Sequence, residues 1–460
     1  MTERVYGHLP AQLQHVAVSA YGYSWRRRRF GGRFRAYRDE FALRNTWDDT
    51  AWRDFQTDRL REVLALAWDV PHYRRAWTDA GLGPSDTAAL ALGDLAAVPI
   101  VGKEDVRRSP QDFCVGGVPP RHATTSLTSG STGTPLTLYD TPDDFRRVLA
   151  LRDARYEDFA GVTYAMPRGT FSGRRVEPAS DSRGPFHRYN LAERQVYFSP
   201  YHLGPGTVAR YVEALHKHGP EWLTGYPTCL ADLARMSMEQ GLSCPPMRAV
   251  ITAAEPVPES LREDSPRVFG CRVTEEYGLA EQVCFAISCE FETLHLSPDA
   301  GIVEILDEHG DPSDMGEIVA TGFLREAQPL IRYRTGDLAR LGSERCRCGR
   351  SMPVLESLEG RVDDYVVGAD GRRVGRLSHV PKGLPGVLAM QFVQSRPGEI
   401  AARVVCEDVL EDATSTIIRE RLRERLGERT VIEVQQVAAL ERTPRGKIRG
   451  VIREPGESPN

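Results

Sequence analysis

The sequence predicts an α/β fold, with a large N-terminal body built on mixed sheets and a small α+β C-terminal domain. The length of 460 residues exceeds what a single hydrophobic core usually supports. Short apolar segments alternate with helical segments through the middle of the chain, and this pattern restarts on a smaller scale after residue 363. We therefore predict three parts: a helical part of the body at 1–95, the main α/β part at 96–361, and the small domain at 362–460.

The spacing of apolar residues assigns the elements within each part. In the first part, Leu60, Leu64 and Trp68 recur at helical spacing, and glycines just after residue 80 end the pattern. In the body, MRAVITAAEP predicts a buried strand that enters a loop, and GTVARYVEALHKHG predicts a helix that ends at Gly219. From about residue 300, GIVEIL and GEIVATGFL predict an antiparallel or barrel-like extension. The small domain shows strand patterns in LAMQFVQ, EIAARVVCEDV and VIEVQQVAAL, and a helical pattern in STIIRERLRERLG.

The composition excludes several classes of protein. Hydrophobic residues make up 41% and charged residues 27%, which is typical of a globular chain. A net charge of -5 gives no general attraction to nucleic acid, so we predict no nucleic-acid partner. No run of about 18 apolar residues occurs, and the N-terminus lacks a signal-peptide pattern, so we expect no integral membrane segment and a cytoplasmic location. Nine widely spread cysteines do not suggest a disulfide framework.

A cluster of arginines near the N-terminus allows two interpretations. It is either a membrane-surface or polyanion-binding patch, or a solvated helix face that packs on the body, and we favour the second. The cluster comprises Arg26, Arg27, Arg28, Arg29, Arg33 and Arg35, interleaved with Trp25, Phe30 and Phe34.

The strongest local motif is a loop rich in glycine and hydroxyl residues, within TTSLTSGSTGTPLTLYD at 124–140. Glycines let backbone N–H groups turn towards an anion, and hydroxyls add further donors. Strand-like residues on both sides place the loop between strands, and it lacks the GK[ST] of a Walker loop. A loop of this composition can also be a simple flexible turn. The candidate phosphate ligands are Thr128, Ser129, Gly130, Ser131, Thr132 and Gly133.

The order TSGSTGTP resembles the phosphate loop of the adenylate-forming superfamily, which includes acyl-CoA ligases, luciferases and peptide-synthetase adenylation domains. The flanking sequence is similar to the phenylacetate–CoA ligase branch, especially its relatives connected with capsular polysaccharide biosynthesis. This resemblance implies that 96–361 binds ATP and an acid, and that 362–460 is a mobile domain carrying a catalytic lysine. It also implies Mg2+, a small-molecule acid as partner and CoA as co-substrate. Leu136 departs from the pattern, since many members have Lys there.

Five further segments resemble motifs of the same family, in the family's order. ITAAEP (251–256) is similar to the loop beside adenine, which implies contacts from Ala254, Glu255 and Pro256. EEYGLAE (275–281) is similar to the motif over adenine and metal, which implies nucleotide contacts from Glu276, Tyr277 and Gly278 and a Mg2+ ligand in Glu281. The family's hydroxyl residue before that glutamate is replaced by Ala280.

The remaining three motifs surround the predicted hinge. YRTGDLARL (333–341) resembles the ribose-binding motif, and Asp337 would accept hydrogen bonds from both ribose hydroxyls. GRVDD (360–364) resembles the interdomain hinge, which implies a ribose or phosphate contact from Arg361 and a pivot at Asp363. ERTPRGKIR (441–449) resembles the catalytic loop, in which Lys447 neutralises charge while two anions react.

Cys289, His295, Cys346 and Cys348 can supply four ligands for tetrahedral Zn2+. The alternative is four independent core or surface residues. Relatives in this branch show a similar Cys…His…CxCG arrangement, so we predict a structural rather than catalytic zinc, with Cys284 as a substitute ligand.

The acid pocket and the acceptor are the least determined features. YFSPYHLGPG and LTGYPTCL resemble pocket-lining segments, which gives His202 and Tyr226 as candidates and favours an aryl or arylacetic acid. The alternatives to CoA transfer are adenylation of another oxyacid, such as nitrite for diazotisation of an arylamine, and acyl transfer to an amine. A non-catalytic nucleotide-binding protein is the third hypothesis, and the combination of Lys447, Glu281 and Asp337 argues against it. A homodimer is compatible with these assignments.

Overall fold

The computed structural model describes residues 11–127, 136–172, 176, 184–361, 365–369, 373–374, 377, 380–381, 384–442 and 448–453. Its α-helices are α1 (Ala11–Phe30), α2 (Phe34–Leu43), α3 (Asp49–Ala67), α4 (Pro71–Asp79), α5 (Pro84–Ala88), α6 (Lys103–Arg108), α7 (Pro142–Ala160), α8 (Val208–His218), α9 (Pro227–Glu239), α10 (Glu259–Val268) and α11 (Asp412–Leu426). Short 3-10 helices span Arg44–Thr46, Leu92–Ala97, Pro110–Phe113, Val115–Gly117 and Leu191–Glu193.

The strands divide between the body and the small domain. Those before residue 362 are β1 (Thr124–Leu127), β2 (Thr137–Asp140), β3 (Arg168–Phe171), β4 (His187–Asn190), β5 (Gln195–Phe198), β6 (Trp222–Gly225), β7 (Ala249–Ala253), β8 (Val273–Gly278), β9 (Phe285–Ser288), β10 (Leu294–Leu296), β11 (Gly301–Leu306), β12 (Met315–Gly322), β13 (Tyr333–Leu341) and β14 (Val354–Arg361). Those after it are β15 (Val366–Val367), β16 (Arg373–Val374), β17 (Val387–Arg396), β18 (Glu399–Cys406), β19 (Val431–Gln436) and β20 (Val451–Arg453).

The main sheet of the body is mixed. Within the described residues its twelve strands have the order β11-β12-β13-β14-β10-β9-β8-β7-β6-β3-β5-β4. Strands β5, β3, β6, β7 and β8 pair in parallel, and the flanking pairs are antiparallel. The predicted α/β body is confirmed. The extension after residue 300 is antiparallel as expected, but it continues the main sheet, because β10 pairs with β14.

The central parallel strands are buried on both faces, as strands covered by helices on two sides should be. Successive side chains alternate between the faces. Trp222 on β6 and Ile251 on β7 pack in one core cluster with residues of α7. Their neighbours Leu223 and Val250 pack in a second cluster with residues of α8 and α9. Helices thus cover both faces of the sheet. The candidate site lies where its parallel strands end.

The small domain has its own sheet and core. Strands β19, β18, β17 and β20 form a four-stranded sheet in that order, with β17 and β18 antiparallel. Helix α11 packs on it through Ile418 and Leu422, which share a core cluster with Phe392 and Ile400. The predicted α+β C-terminal domain is therefore confirmed.

The first helices and the glycine-rich loop are tied to the body. Strands β1 and β2 pair antiparallel, with Thr124 opposite Asp140 and Leu127 opposite Thr137, and thus bracket the loop at 128–135 as predicted. Helix α1 lies along β4, where the backbone N–H of Tyr189 donates to Nδ1 of His15. Among the helices of the described residues, none combines the length and apolar character needed to span a membrane.

Candidate active site

Several predicted site residues lie where the parallel strands end. Tyr226 follows β6, Ala254 follows β7, Gly278 ends β8, and His202 lies shortly after β5. The carboxyl ends of parallel strands meet at one edge of a sheet, which is the usual ligand site of α/β folds. The backbone also turns sharply there, because Ala254 has a φ of +75°. Motifs that are far apart in sequence are thereby brought to one edge.

Asp337 lies on a bulge of β13. Glu317 of β12 pairs with Leu338 of β13, and Val319 of β12 pairs with Arg334. The residues between Arg334 and Leu338 therefore bulge out of the ladder. Gly336 adopts a φ of +77°, which glycine accommodates without strain, and its N–H donates to the carboxylate of Glu317 at 3.1 Å. The TGD sequence is thus a rigid turn inside a strand rather than a loose loop.

Tyr277 and Asp337 are joined directly. The Tyr277 hydroxyl donates to Oδ2 of Asp337 at 2.9 Å, although the two residues lie on β8 and β13. Burial raises the pKa of Tyr277, so its hydroxyl keeps its proton and remains a donor at neutral pH. In the backbone register, Asp337 lies opposite Arg361 of β14. Three residues assigned to the nucleotide from separate motifs therefore come together.

Glu281 is buried next to this group, with 5% of its surface exposed. Its Oε1 accepts a hydrogen bond from the Tyr333 hydroxyl at 3.0 Å. Burying a carboxylate is costly unless hydrogen-bond donors or a cation offset the loss of water. The arrangement fits the hard oxygen ligand that Mg2+ requires.

Glu276 has a different environment from its neighbours. Its carboxylate lies 3.2 Å from Nη2 of Arg152 and accepts a hydrogen bond from the Tyr156 hydroxyl. Both partners lie on α7, and Glu276 is buried. The side chain of Glu276 is therefore engaged with the interior of the body, and the nucleotide contact predicted for this residue stays a prediction.

Glu255 links the adenine-side loop to the small domain. Its Oε2 accepts from the hydroxyl of Thr228 at 2.7 Å, and its Oε1 accepts from the backbone N–H of Ile448 at 2.8 Å. Burial raises the pKa of Glu255, and both of these donors oppose the shift. A second contact runs in parallel: Nη2 of Arg442 lies 3.1 Å from a carboxylate oxygen of Asp232. Thr228 lies within the segment LTGYPTCL but was given no role from the sequence, and Asp232 lies further along α9, outside every motif.

Arg442 and Ile448 also form a β-bridge with each other, and thereby close the base of the segment 443–447. This segment contains Lys447, which lies outside the described residues. The predicted phosphate ligands Thr128 to Gly133 and the pivot Asp363 lie outside them as well. Both ends of the lysine segment are nevertheless fixed on the body, at Asp232 and at Glu255.

The two pocket candidates border one aromatic cluster. The His202 ring stacks on Phe186, with centroids 4.8 Å apart, and its Nδ1 lies 2.7 Å from the Ser199 hydroxyl. Tyr226 packs against the same cluster, which also contains Phe171 and Phe198 in a stacked pair. These rings belong to the buried core beside the two candidates.

The predicted metal ligands do converge. The ligand atoms of Cys289, His295, Cys346 and Cys348 all lie within 4.8 Å of one another. Sγ of Cys289 is 3.7 Å from Sγ of Cys346, and Sγ of Cys348 is 3.3 Å from Nε2 of His295. Tetrahedral zinc, with bonds of about 2.3 Å to sulfur and about 2.0 Å to nitrogen, places its ligand atoms about 3.5 to 3.8 Å apart. The side chains fit zinc closely.

A backbone contact completes this cluster. Nδ1 of His295 lies 3.2 Å from the carbonyl oxygen of Met352, which orients the ring so that Nε2 faces the thiols. Cys284, considered as a substitute ligand, does not belong to the group found among the described residues. The cluster connects β10 with the turn between β13 and β14, and β13 carries Asp337.

Comparison with known proteins agrees with this geometry. The family model described as AMP-binding enzyme matches residues 194–322, and the one described as CapK C-terminal domain matches residues 366–454. The protein CapK of Staphylococcus aureus is 24% identical, over 98% of this chain and 99% of its own length. The phenylacetate–coenzyme A ligase of Thermus thermophilus is 29% identical, over 68% of this chain and 71% of its own.

The chain belongs to the adenylate-forming superfamily, in the branch of the phenylacetate–coenzyme A ligases and CapK. A crystal structure of 2-hydroxyisobutyryl-CoA ligase, in complex with an acyl-AMP, superposes with a TM-score of 0.69 at 24% identity. That superposition covers 90% of this chain and 91% of the other, and supports the adenylate-forming fold. The protein is an enzyme of the AMP-forming, acid–thiol ligase type.

Proposed function

We propose that this adenylate-forming enzyme activates an aryl or arylacetic acid with ATP and Mg2+, and then transfers the acyl group to CoA. The observation that carries the proposal is the hydrogen bond between Tyr277 and Asp337 at the carboxyl edge of the sheet. It joins the motif assigned to adenine with the motif assigned to ribose. A buried Glu281 beside them supplies a ligand for the cation that accompanies ATP.

In the first half-reaction, a carboxylate oxygen of the acid attacks the α-phosphorus of ATP. The bond from that phosphorus to the bridging oxygen breaks, and pyrophosphate leaves with the electron pair. No proton is transferred, so the enzyme's contribution is positioning and charge neutralisation. We assign Asp337 to the ribose hydroxyls, the segment 128–133 to the phosphates, and Lys447 to the developing negative charge. Mg2+, when bound at Glu281, would offset the charge of the phosphate oxygens.

In the second half-reaction, the CoA sulfur attacks the carbonyl carbon of the acyl-AMP. The carbon–oxygen bond to phosphate breaks, AMP leaves, and the thiol proton passes to solvent. We propose that the small domain, 362–460, rotates about Asp363 between the two steps, while 1–361 forms the body. This rotation requires release of the contacts that Arg442 and Ile448 make with Asp232 and Glu255.

The choice of an aromatic acid rests on the cluster next to His202 and Tyr226. Phe171 and Phe198 stack with centroids 4.5 Å apart, and Phe186 stacks on His202. An aryl ring gains both apolar burial and ring–ring contact in such surroundings. We also propose that Cys289, His295, Cys346 and Cys348 hold a structural zinc, which fixes the turn after β13 and so supports Asp337.

The test is AMP formation from ATP and Mg2+ with a panel of aryl acids, fatty acids and nitrite. Each assay is run with and without CoA or an arylamine, and Lys447→Ala is the control. AMP that depends on an aryl acid and on Lys447, with a thioester as product, supports the proposal. AMP with nitrite, or acyl transfer to an amine, would instead support the alternative activation chemistry. Absence of AMP with every acid would contradict the proposal.

A further inference from the structure

The arginine cluster of α1 separates into two functional sets. Arg26 donates to the carbonyl oxygen of Ala192 at 2.9 Å, and Arg29 lies 3.4 Å from the carboxylate of Glu193. These two arginines attach α1 to the body. Arg27 and Arg28 line a surface cleft together with Arg146 at the start of α7, and Arg28 also attaches α1 to the body through His122 and Thr124. The packing interpretation therefore accounts for only part of the cluster.

The cleft is open to solvent and has a volume of about 610 Å3. Its floor and walls are formed by Arg27, Arg28, Gly31, Gly32, His122, Pro142 and Arg146. A Cβ on Gly32 would lie 2.8 Å from a guanidinium nitrogen of Arg146, and Gly32 has a φ of +56°. A larger residue at this position would crowd Arg146 and strain the turn, so glycine keeps the cleft open.

Two arginines of the cleft, Arg28 and Arg146, donate to neutral groups. Nη2 of Arg28 donates to the carbonyl oxygen of His122 at 3.0 Å and to the hydroxyl of Thr124 at 2.6 Å. Nε of Arg146 donates to the carbonyl oxygen of Arg28 at 3.0 Å. Such acceptors orient a guanidinium without cancelling its charge. The cleft is thereby preorganised for a ligand that supplies negative charge.

The charge balance of the cleft is positive. Three guanidinium groups line it, and among the described residues their one ion pair joins Arg146 to Asp143 at 2.8 Å. Like charges held close together destabilise a fold unless an anion lies between them. This concentration occurs in a chain whose net charge is -5, so it is a local feature. Clustered arginines with fixed donors are the usual recognition site for phosphate groups.

We infer that this cleft binds a phosphate or diphosphate group, at a site separate from the predicted nucleotide site. The cleft lies at the Thr124 end of β1, whereas the glycine-rich loop follows Leu127 at the other end. Three residue steps along a strand separate these ends by about 10 Å. The group can belong to a free phosphorylated molecule or to a lipid headgroup.

The first arm of the test uses inorganic pyrophosphate and calorimetric titration at low salt. Magnesium and a non-hydrolysable ATP analogue are present at saturation, so that the predicted nucleotide site is filled. A separate titration with the analogue alone reports whether the predicted nucleotide site exists. A failure of the proposed function can thereby be distinguished from a failure of the phosphate inference. We expect one pyrophosphate site in the wild type, and at least a tenfold loss of affinity in Arg27→Gln/Arg146→Gln.

The second arm uses sedimentation with phosphatidylcholine vesicles that contain phosphatidic acid, against vesicles of phosphatidylcholine alone. Binding that needs phosphatidic acid and is lost in the double variant identifies a headgroup as the source. Arg35→Gln removes one exposed charge from the neighbouring α2 and should change neither measurement by more than twofold. Arg27→Gln alone guards against misfolding, because no described residue bonds the Arg27 guanidinium. Absence of binding in both arms, or binding equal in wild type and the double variant, would overturn the inference.

Discussion

The backbone N–H of Ile448 donates to the carboxylate of Glu255 at 2.8 Å. Ile448 directly follows Lys447, and Glu255 directly follows the strained Ala254 at the end of β7. Ile448 is thereby tied to the edge of the sheet where the nucleotide motifs converge. The contact exists only while the small domain rests on the body, so it stabilises the arrangement to which we assign adenylation.

We predict that Glu255→Ala slows adenylation by at least about tenfold, because a hydrogen bond to a charged group contributes about 1.5–3 kcal/mol. The second half-reaction should be unchanged, since the small domain has left Glu255 by then. Acid-dependent exchange of labelled pyrophosphate into ATP measures the first step. Thioester formation from supplied acyl-AMP measures the second.

Glu259→Ala is the matched control, because Glu259 is exposed in the first turn of α10, four residues further on. It should leave both half-reactions within about twofold of wild type, as surface substitutions usually do. Equal losses in both steps of Glu255→Ala would show that the residue supports the fold in general, and would contradict a role in positioning Lys447.

Two tyrosines with similar roles allow a paired prediction. Tyr333→Phe removes the donor to Glu281, and Tyr277→Phe removes the donor to Asp337. Tyr333→Phe should raise the Mg2+ concentration for half-maximal activity severalfold, with a smaller effect on the KM for ATP. Tyr277→Phe should raise the KM for ATP, with a smaller effect on the Mg2+ requirement. Titrating both ligands for both variants checks this, and indistinguishable profiles would argue against separate metal and ribose roles.

Much of the fold and part of the site could be predicted from the sequence. The loop between β1 and β2, the metal-ligand cluster, and the small domain follow from local residue patterns. The hydrogen bond of Tyr277 to Asp337 was not predictable, because the two residues are 60 positions apart and meet only through the strand order. The engagement of Glu276 with Arg152 also depends on how α7 packs on β8.

The continuity of the main sheet was missed for a related reason. Turn signals between β11 and β12 indicate an antiparallel pair, but nothing local shows that β10 joins β14. Thr228, Asp232 and Tyr333 were missed because they act through a partner in another segment. Tyr333 is the first residue of the segment YRTGDLARL and could have been considered on position alone.

Metal analysis tests the four-residue cluster. We predict about one zinc ion per chain in the purified protein. The zinc content of Cys348→Ser should be a small fraction of the wild-type content, because a structural site needs all four ligands. Cys348→Ser should also unfold at a lower temperature, since metal binding contributes to folding. Cys406→Ser, in β18 of the small domain, is the control and should keep its zinc. Equal zinc content in both variants would exclude the cluster as the binding site.

The stability of the α1–β4 contact should depend on pH through His187. Its Nε2 lies 3.1 Å from Nε2 of His218, and the rings of His15 and His187 are 5.9 Å apart, with Lys217 also close. Burial, and then the charges of His218, His15 and Lys217, lower the pKa of His187 to about 4. The unfolded chain, with an ordinary histidine pKa of about 6.5, therefore binds the proton more readily.

It follows that the free energy of unfolding is highest above about pH 6.5 and falls as the pH decreases towards about 4. The loss should be at most about 3.5 kcal/mol from His187, at about 1.4 kcal/mol for each unit by which the two pKa values differ. Urea unfolding at pH 7.5, 6 and 5 measures it. His187→Gln should flatten this dependence, whereas His309→Gln, at an exposed turn, should retain it. An equally steep dependence in His187→Gln would assign the acid sensitivity to other groups.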